Sequence, residues 1–234
     1  MVVSYRHFVF DLDGTLIDSR QDLADAANAL LARHGAVPLA VEEIVGMVGE
    51  GARTLVDRVV RRSGLTVSLD RALEQFLAEY DERLVVETRP YDGVGAMLDA
   101  LTAAGCRLSV LTNKPQQATD RVLELLGLRT PFFDVIGGDT PLGRKPDAAG
   151  LRALINRAGV PAGATVMVGD SWVDAQTATA AGIDACLCAY GFGYEAIDDV
   201  TRATARWHVT TPREVVTLAD DHRPALSRPP ETPA

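Results

Sequence analysis

The chain has 234 residues, 47% of them hydrophobic and 24% charged, an ordinary globular balance with material for one sizeable core and a small accessory domain. Its formal net charge of -9 argues against nucleic acid and anionic membrane surfaces as general partners, and any anion site must supply its own positive charge. No apolar run approaches the roughly 20 residues that span a bilayer, and Met1 to Phe10 is too short and polar for a signal peptide. A soluble, cytoplasmic monomer or homodimer is expected. Cys106, Cys186 and Cys188 fall inside apolar stretches, at no zinc or disulfide spacing, as small buried hydrophobes of a reducing compartment.

In chain order, the first strand is expected at His7–Phe10 and runs directly into Asp11-Leu12-Asp13-Gly14-Thr15. From Ile17 to Val86 the pattern turns helical, with stripes such as Leu23, Ala27, Leu30, Leu31 and Leu73, Phe76, Leu77, Tyr80, and no convincing strand. Thereafter short β-rich runs alternate with punctuated helices. The strands are expected at Arg107–Thr112, Asp134–Gly137, Thr165–Gly169, Ile183–Cys188 and, more weakly, His208–Thr210. One helix ends at Gly105, a second runs from Pro115 to Leu126 before Gly127, and a third from Pro146 to Ala158 before Gly159. Strand-helix repetition of this kind gives an α/β fold with a doubly wound parallel sheet. The expected division is a core of residues 1–16 and 87–219, a helical cap at 17–86 inserted after the first strand, and a mobile tail at 220–234 with four prolines.

In such a sheet ligands bind beyond the carboxyl ends of the strands, so the residues that follow each strand are the informative ones. The first strand is followed by Asp11 and Asp13, the second by Asn113-Lys114-Pro115. Gly143-Arg144-Lys145-Pro146-Asp147 precedes the fourth, which leads into Asp170-Ser171-Trp172-Val173-Asp174. Each alone has a plain structural explanation, since aspartate after a strand forms turns and Thr-Asn before a proline caps helices. Together at one sheet edge they make an inventory suited to phosphate and metal. Of 23 basic side chains only two are lysine, Lys114 and Lys145, and both lie in these segments. A compact ammonium suits a site that needs charge without a planar fork.

These motifs, in this order from Phe8 to about Ala196, resemble the haloacid dehalogenase superfamily. Within it the chain is most similar to the bacterial phosphoglycolate phosphatases, through Phe10 to Ser19, Val48-Gly-Glu-Gly-Ala-Arg53, Leu111-Thr-Asn-Lys-Pro115 and Gly137-Gly-Asp-Thr140. The resemblance implies a Rossmann-like core with an α-helical cap, and Mg²⁺-dependent hydrolysis of a small phosphate monoester through an aspartyl phosphate. It implies Asp11 as nucleophile, Asp13 as acid and base, and Lys145 as the balancing charge. Mg²⁺ ligands would be the Asp11 carboxylate, the Asp13 backbone carbonyl and the Asp170 carboxylate, with Asp174 acting through water or holding Lys145. Thr112 and the Asn113 N–H would hold phosphoryl oxygens, with Gly14 at the bend, and Arg53 would meet a substrate carboxylate. Trp172-Val173 and Ala148 depart from the usual pattern without touching that chemistry. A sugar phosphate or pyrophosphate remains an alternative substrate. A non-catalytic binding module would be expected to lack one of Asp11, Asp13, Lys145 or Asp170, and all four are present.

Overall fold

The computed structural model describes residues 4–219. The expected tail, 220–234, lies outside the described residues. In chain order the elements are β1 (His7–Phe10), β2 (Ile17–Asp18), α1 (Arg20–Arg33), α2 (Val41–Val45), α3 (Ala52–Ser63) and α4 (Leu69–Asp81). There follow β3 (Arg89–Pro90), α5 (Val94–Ala103), β4 (Arg107–Leu111), α6 (Gln116–Leu125), β5 (Asp134–Ile136) and α7 (Ala149–Ala158). The chain continues through β6 (Thr165–Gly169), α8 (Trp172–Ala181), β7 (Asp184–Cys188), α9 (Asp199–Thr204), β8 (Trp207–Val209) and α10 (Pro212–Val216).

Six strands form one parallel sheet in the order β5-β4-β1-β6-β7-β8. The chain winds outward from β1 through β4 to β5, then returns to the other side of β1 for β6, β7 and β8. That reversal opens a crevice beside the carboxyl end of β1, where open α/β sheets take ligands. Side chains alternate across the sheet. Phe8, Phe10, Val110 and Val168 face one apolar layer with Met97, Leu101 and Val122, and Val9, Leu111 and Met167 face the other with Leu151 and Leu154. Both faces are covered, which is why β1 reads as an unbroken apolar run with all four residues buried.

The register sets the site. Phe10 pairs with Val110 on one side and Val168 on the other, so β1, β4 and β6 end level. The ladder continues one step further, with the Asp11 N–H donating to the Val168 carbonyl at 2.8 Å.

Between β2 and β3 the helices α1 to α4 pack on one another around Leu30, Leu31, Val56, Phe76 and Tyr80. The two connections to the sheet are pinned by an antiparallel ribbon that pairs Ile17 with Pro90 and Asp18 with Arg89. The ribbon pairs lie beside the boundaries expected at 16/17 and 86/87. Two-residue strands show no periodicity, so nothing local announced them. Asp22 of α1, 1% exposed, reinforces the ribbon by accepting the Glu87 and Thr88 N–H groups and the Thr88 hydroxyl. The third expected helix begins at Ala149 rather than at Pro146, and the Asp147 carboxylate accepts the Ala149 N–H at 2.7 Å just ahead of its first turn.

Candidate active site

Asp11 follows β1 directly and is 8% exposed. Its Oδ1 accepts the Leu12 N–H at 2.7 Å and lies 2.9 Å from Lys145 Nζ. Lys145 Nζ also reaches Asp174 Oδ1 at 2.6 Å, so one buried ammonium is shared between two carboxylates. Asp174 sits in the first turn of α8, and its Oδ2 accepts both the N–H and the hydroxyl of Ser171. The S-x-x-D spacing that caps this helix thereby fixes the carboxylate that holds Lys145.

Asp170 follows β6 and is 1% exposed. Thr15 Oγ1 donates to its Oδ1 at 3.2 Å and the Gly193 N–H to its Oδ2 at 2.7 Å. The bend after β1 closes tightly over it. Gly14 has φ +86°, and a Cβ there would stand 2.0 Å from Asp170 Oδ2, so neither the backbone nor the space admits a side chain.

Oxygens of Asp11, Asp170 and Asp174 lie within 4.8 Å of one another. Three carboxylates against one ammonium leave two negative charges in a buried place. Burial, opposed by Lys145 and reinforced by Asp174, pushes the Asp11 carboxyl up to about 6. Burial, with Asp174 and Asp11 adding to it, pushes Asp170 well above the usual carboxylate range. Burial alone would lower Lys145, but the Asp11 and Asp174 carboxylates outweigh it and hold the ammonium charged. All-oxygen donors with an excess charge of two fit a hard divalent cation, and Mg²⁺ suits such a set.

The Asp13 side chain points away from that cluster. Lys114 Nζ lies 2.8 and 2.9 Å from its two oxygens, and the Ser19 hydroxyl donates to Oδ1 at 2.6 Å. Thr112 is buried, and its Oγ1 accepts the Lys114 N–H at 3.3 Å. Asn113 Nδ2 donates to the Gly49 carbonyl of the helical insert and to the Lys145 carbonyl, each at 3.0 Å, so it ties insert to sheet at the edge of the site. Asp13, Thr112, Asn113 and Lys114 line a cavity of about 1050 Å³ between sheet and insert, together with Asp11, Asp170 and Trp172 among others.

Arg53 is not brought to this place. It is half-exposed, pairs with Asp70 at 2.8 Å and does not line the cavity. Arg58, further along α3, does line it and is held by the Met47 carbonyl and Glu50. Gly14 packs behind Asp170 rather than on the cavity wall. Lys114, Ser19, Tyr80 and the loop after β7 join the site with no role expected of them from the motifs. The Gly191-Phe192-Gly193 loop was open to detection, since it leaves a fifth strand at the same sheet edge. Tyr80 was not, because it reads as one more apolar position in a helical stripe.

The sequence pattern of the haloacid dehalogenase-like hydrolases matches residues 5–182. The chain belongs to that family. A phosphoglycolate phosphatase of Rhodospirillum rubrum is 43% identical over 196 residues, 81% of each chain. One from Colwellia psychrerythraea is 37% identical over 215 residues, 89% of this chain and 94% of the relative. The crystal structure of a predicted phosphoglycolate phosphatase from Haemophilus somnus superimposes with a TM-score of 0.84 at 26% identity, covering 92% of this chain and 98% of that one. This haloacid dehalogenase-like hydrolase is therefore a phosphoric monoester hydrolase similar to the phosphoglycolate phosphatases. None of its helices among the described residues is long and apolar enough to cross a membrane.

Proposed function

We propose that this hydrolase converts 2-phosphoglycolate to glycolate and phosphate in a Mg²⁺-dependent reaction that passes through a phosphorylated Asp11. The observation that carries the reading is the shared ammonium. Lys145 holds Asp11 ionised and oriented at the switch point of the sheet, beside two further carboxylates whose excess charge calls for a divalent cation. Asp11, Asp170 and the Asp13 backbone carbonyl would hold Mg²⁺, with Asp174 within reach as a further oxygen. When bound, the ion neutralises the meeting anions and polarises a phosphoryl oxygen.

An Asp11 oxygen attacks phosphorus as the ester P–O bond breaks, and the electron pair leaves on the alkoxide oxygen. Asp13, which takes up a proton from solvent as it leaves Lys114, supplies that proton to the alkoxide oxygen. In the second half a water oxygen attacks phosphorus, its proton passes to Asp13, and the bond to Asp11 breaks. Thr112 and the Asn113 N–H contribute donors to the phosphoryl oxygens. Because Lys114 occupies both Asp13 oxygens, that pair must loosen before Asp13 can turn to the ester. The helical insert serves as the cap that chooses the substrate, and three cysteines in no disulfide support a reducing, cytoplasmic setting.

A second reading has one observation in its favour. A cavity of about 1050 Å³ is far roomier than a two-carbon ester requires, so a larger substrate such as a sugar phosphate also fits. Steady-state hydrolysis of 2-phosphoglycolate, hexose and pentose phosphates and pyrophosphate, each with and without Mg²⁺, decides between them. The highest kcat/KM is expected for 2-phosphoglycolate with Mg²⁺. Hydrolysis that proceeds equally well without a divalent ion would defeat the mechanism.

A further inference from the structure

The reaction as proposed leaves one buried cation without a task. Lys114 is 5% exposed, lines the cavity, and stands between the sheet and the helical insert. Its Nζ contacts both oxygens of Asp13 and lies 4.7 Å from the centre of the Tyr80 ring on α4. A buried ammonium persists only with matched partners. Burial works to neutralise Lys114, but the Asp13 carboxylate and Tyr80 outweigh it and keep its charge.

Other cations on the cavity wall spend their donors on their own neighbourhoods. Arg20 grips Asp18 through Nε and Nη2 at 2.9 and 2.6 Å. Arg58 is tied to Met47 and Glu50, and Arg89 donates to the carbonyls of Val85, Val86 and Thr88. Lys114 differs in lying against Asp13, the side chain that must reach the ester oxygen.

We infer that Lys114 is the specificity-determining residue of the site and binds a carboxylate on the substrate. The substrate class is then a small phosphate monoester whose carboxylate carbon is two bonds from the ester oxygen. A cation one hydrogen bond from Asp13 is within reach of that carboxylate once Asp13 faces the ester oxygen. The exchange is balanced, because the incoming carboxylate replaces the Asp13 carboxylate on the ammonium and the displaced Asp13 takes up a proton from solvent, the proton it then hands to the ester oxygen. Asp13 is thereby released toward the bond that breaks. Tyr80 forms the far wall, so the occupied ammonium also stands against the helical insert. An ester without a carboxylate leaves Lys114 on Asp13. This inference rests on the phosphoglycolate reading above.

The test compares 2-phosphoglycolate with ethyl phosphate, which has the same kind of alkyl leaving group and no carboxylate, on the Mg²⁺-loaded full chain. Lys114→Met removes the charge, and Lys114→Gln keeps a hydrogen bond toward Asp13 should the first variant fold poorly. Both variants are expected to lower kcat/KM for 2-phosphoglycolate by ~10–100-fold, the weight of one charge-assisted hydrogen bond, mainly through KM. Ethyl phosphate should lose at least tenfold less. Equal losses on the two esters would overturn the inference and leave Lys114 as a support for Asp13 alone. A wild-type enzyme that hydrolyses both esters with equal kcat/KM would also overturn it while leaving the phosphatase mechanism standing. A wild-type enzyme inactive on both would reject the phosphoglycolate reading itself and the inference with it.

Discussion

A carboxylate as deeply placed as Asp11 keeps its charge only while Lys145 stays beside it, 2.9 Å away. Replacing it by asparagine keeps the shape and the Leu12 contact but removes the attacking charge. Asp11→Asn is therefore expected to lower kcat by at least about 10⁴-fold with an unchanged near-ultraviolet circular dichroism spectrum. Activity close to wild type would show that phosphorus is attacked by something else. Gly14 is decided by space and backbone together. At φ +86° an alanine is strained, and its Cβ would need the position now held by the Asp170 carboxylate. Gly14→Ala is expected to cost about 3 kcal/mol in urea unfolding and to weaken Mg²⁺ binding in the same variant. A loss below 1 kcal/mol would mean that the bend relaxes without moving Asp170.

At the scale of elements, the parts of the fold that depend on local pattern were open to sequence reading. β1, β4 and β6 are apolar runs that end on chemistry-bearing residues, and α5, α6 and α7 stop at Gly105, Gly127 and Gly159. What joins elements far apart was not legible. The β2–β3 ribbon pairs residues some seventy positions apart through two rungs, and a helix as short as α2 gives one turn of periodicity. Long-range pairing also hid the site's supports. Lys114 was visible as one of only two lysines, but its partner Asp13 lies 101 residues away and Tyr80 belongs to another lobe. Arg53 shows the converse case, since a cation near a glycine turn invites an anion, and the turn of α3 aims it at Asp70. Asp22 tests the ribbon itself. It is buried and accepts two backbone N–H groups and a hydroxyl from the returning connection. Asp22→Ala strands those donors, and a loss of about 3 kcal/mol is expected from denaturant unfolding, with a rise in KM as the insert loses its anchor. The exposed Arg121–Asp81 pair, which joins the insert to α6, should be worth under about 1 kcal/mol when broken by Arg121→Ala.

For the whole molecule, the acidic cluster links parts of the chain that only the finished sheet brings together. Asp11 leaves β1 and Asp170 leaves β6, so a cation that touches both ties two strands whose pairing is lost on unfolding. Metal binding is then folding free energy, and at a hundred times its dissociation constant Mg²⁺ should add about 2.7 kcal/mol, or ~5–10 °C in Tm for a chain of this size. The sign with pH follows from Asp11. Its carboxyl sits at about 6 in the folded state against 3.8 unfolded, so the folded chain binds the proton more tightly. In the metal-free protein that group therefore removes stability as pH rises from about 4 to 6, and Mg²⁺ restores it by taking the proton's place. At pH 5 the ion must displace a proton bound about one unit below that value, a penalty of about 1.4 kcal/mol, and Asp170 adds to it. Thermal unfolding with Mg²⁺ and with a chelator, at pH 7.5 and at pH 5, should show the larger Mg²⁺ shift at pH 7.5 by ~3–5 °C or more. A shift that is equal at both values, or larger at pH 5, would mean that the ion does not bind where Asp11 gives up its proton.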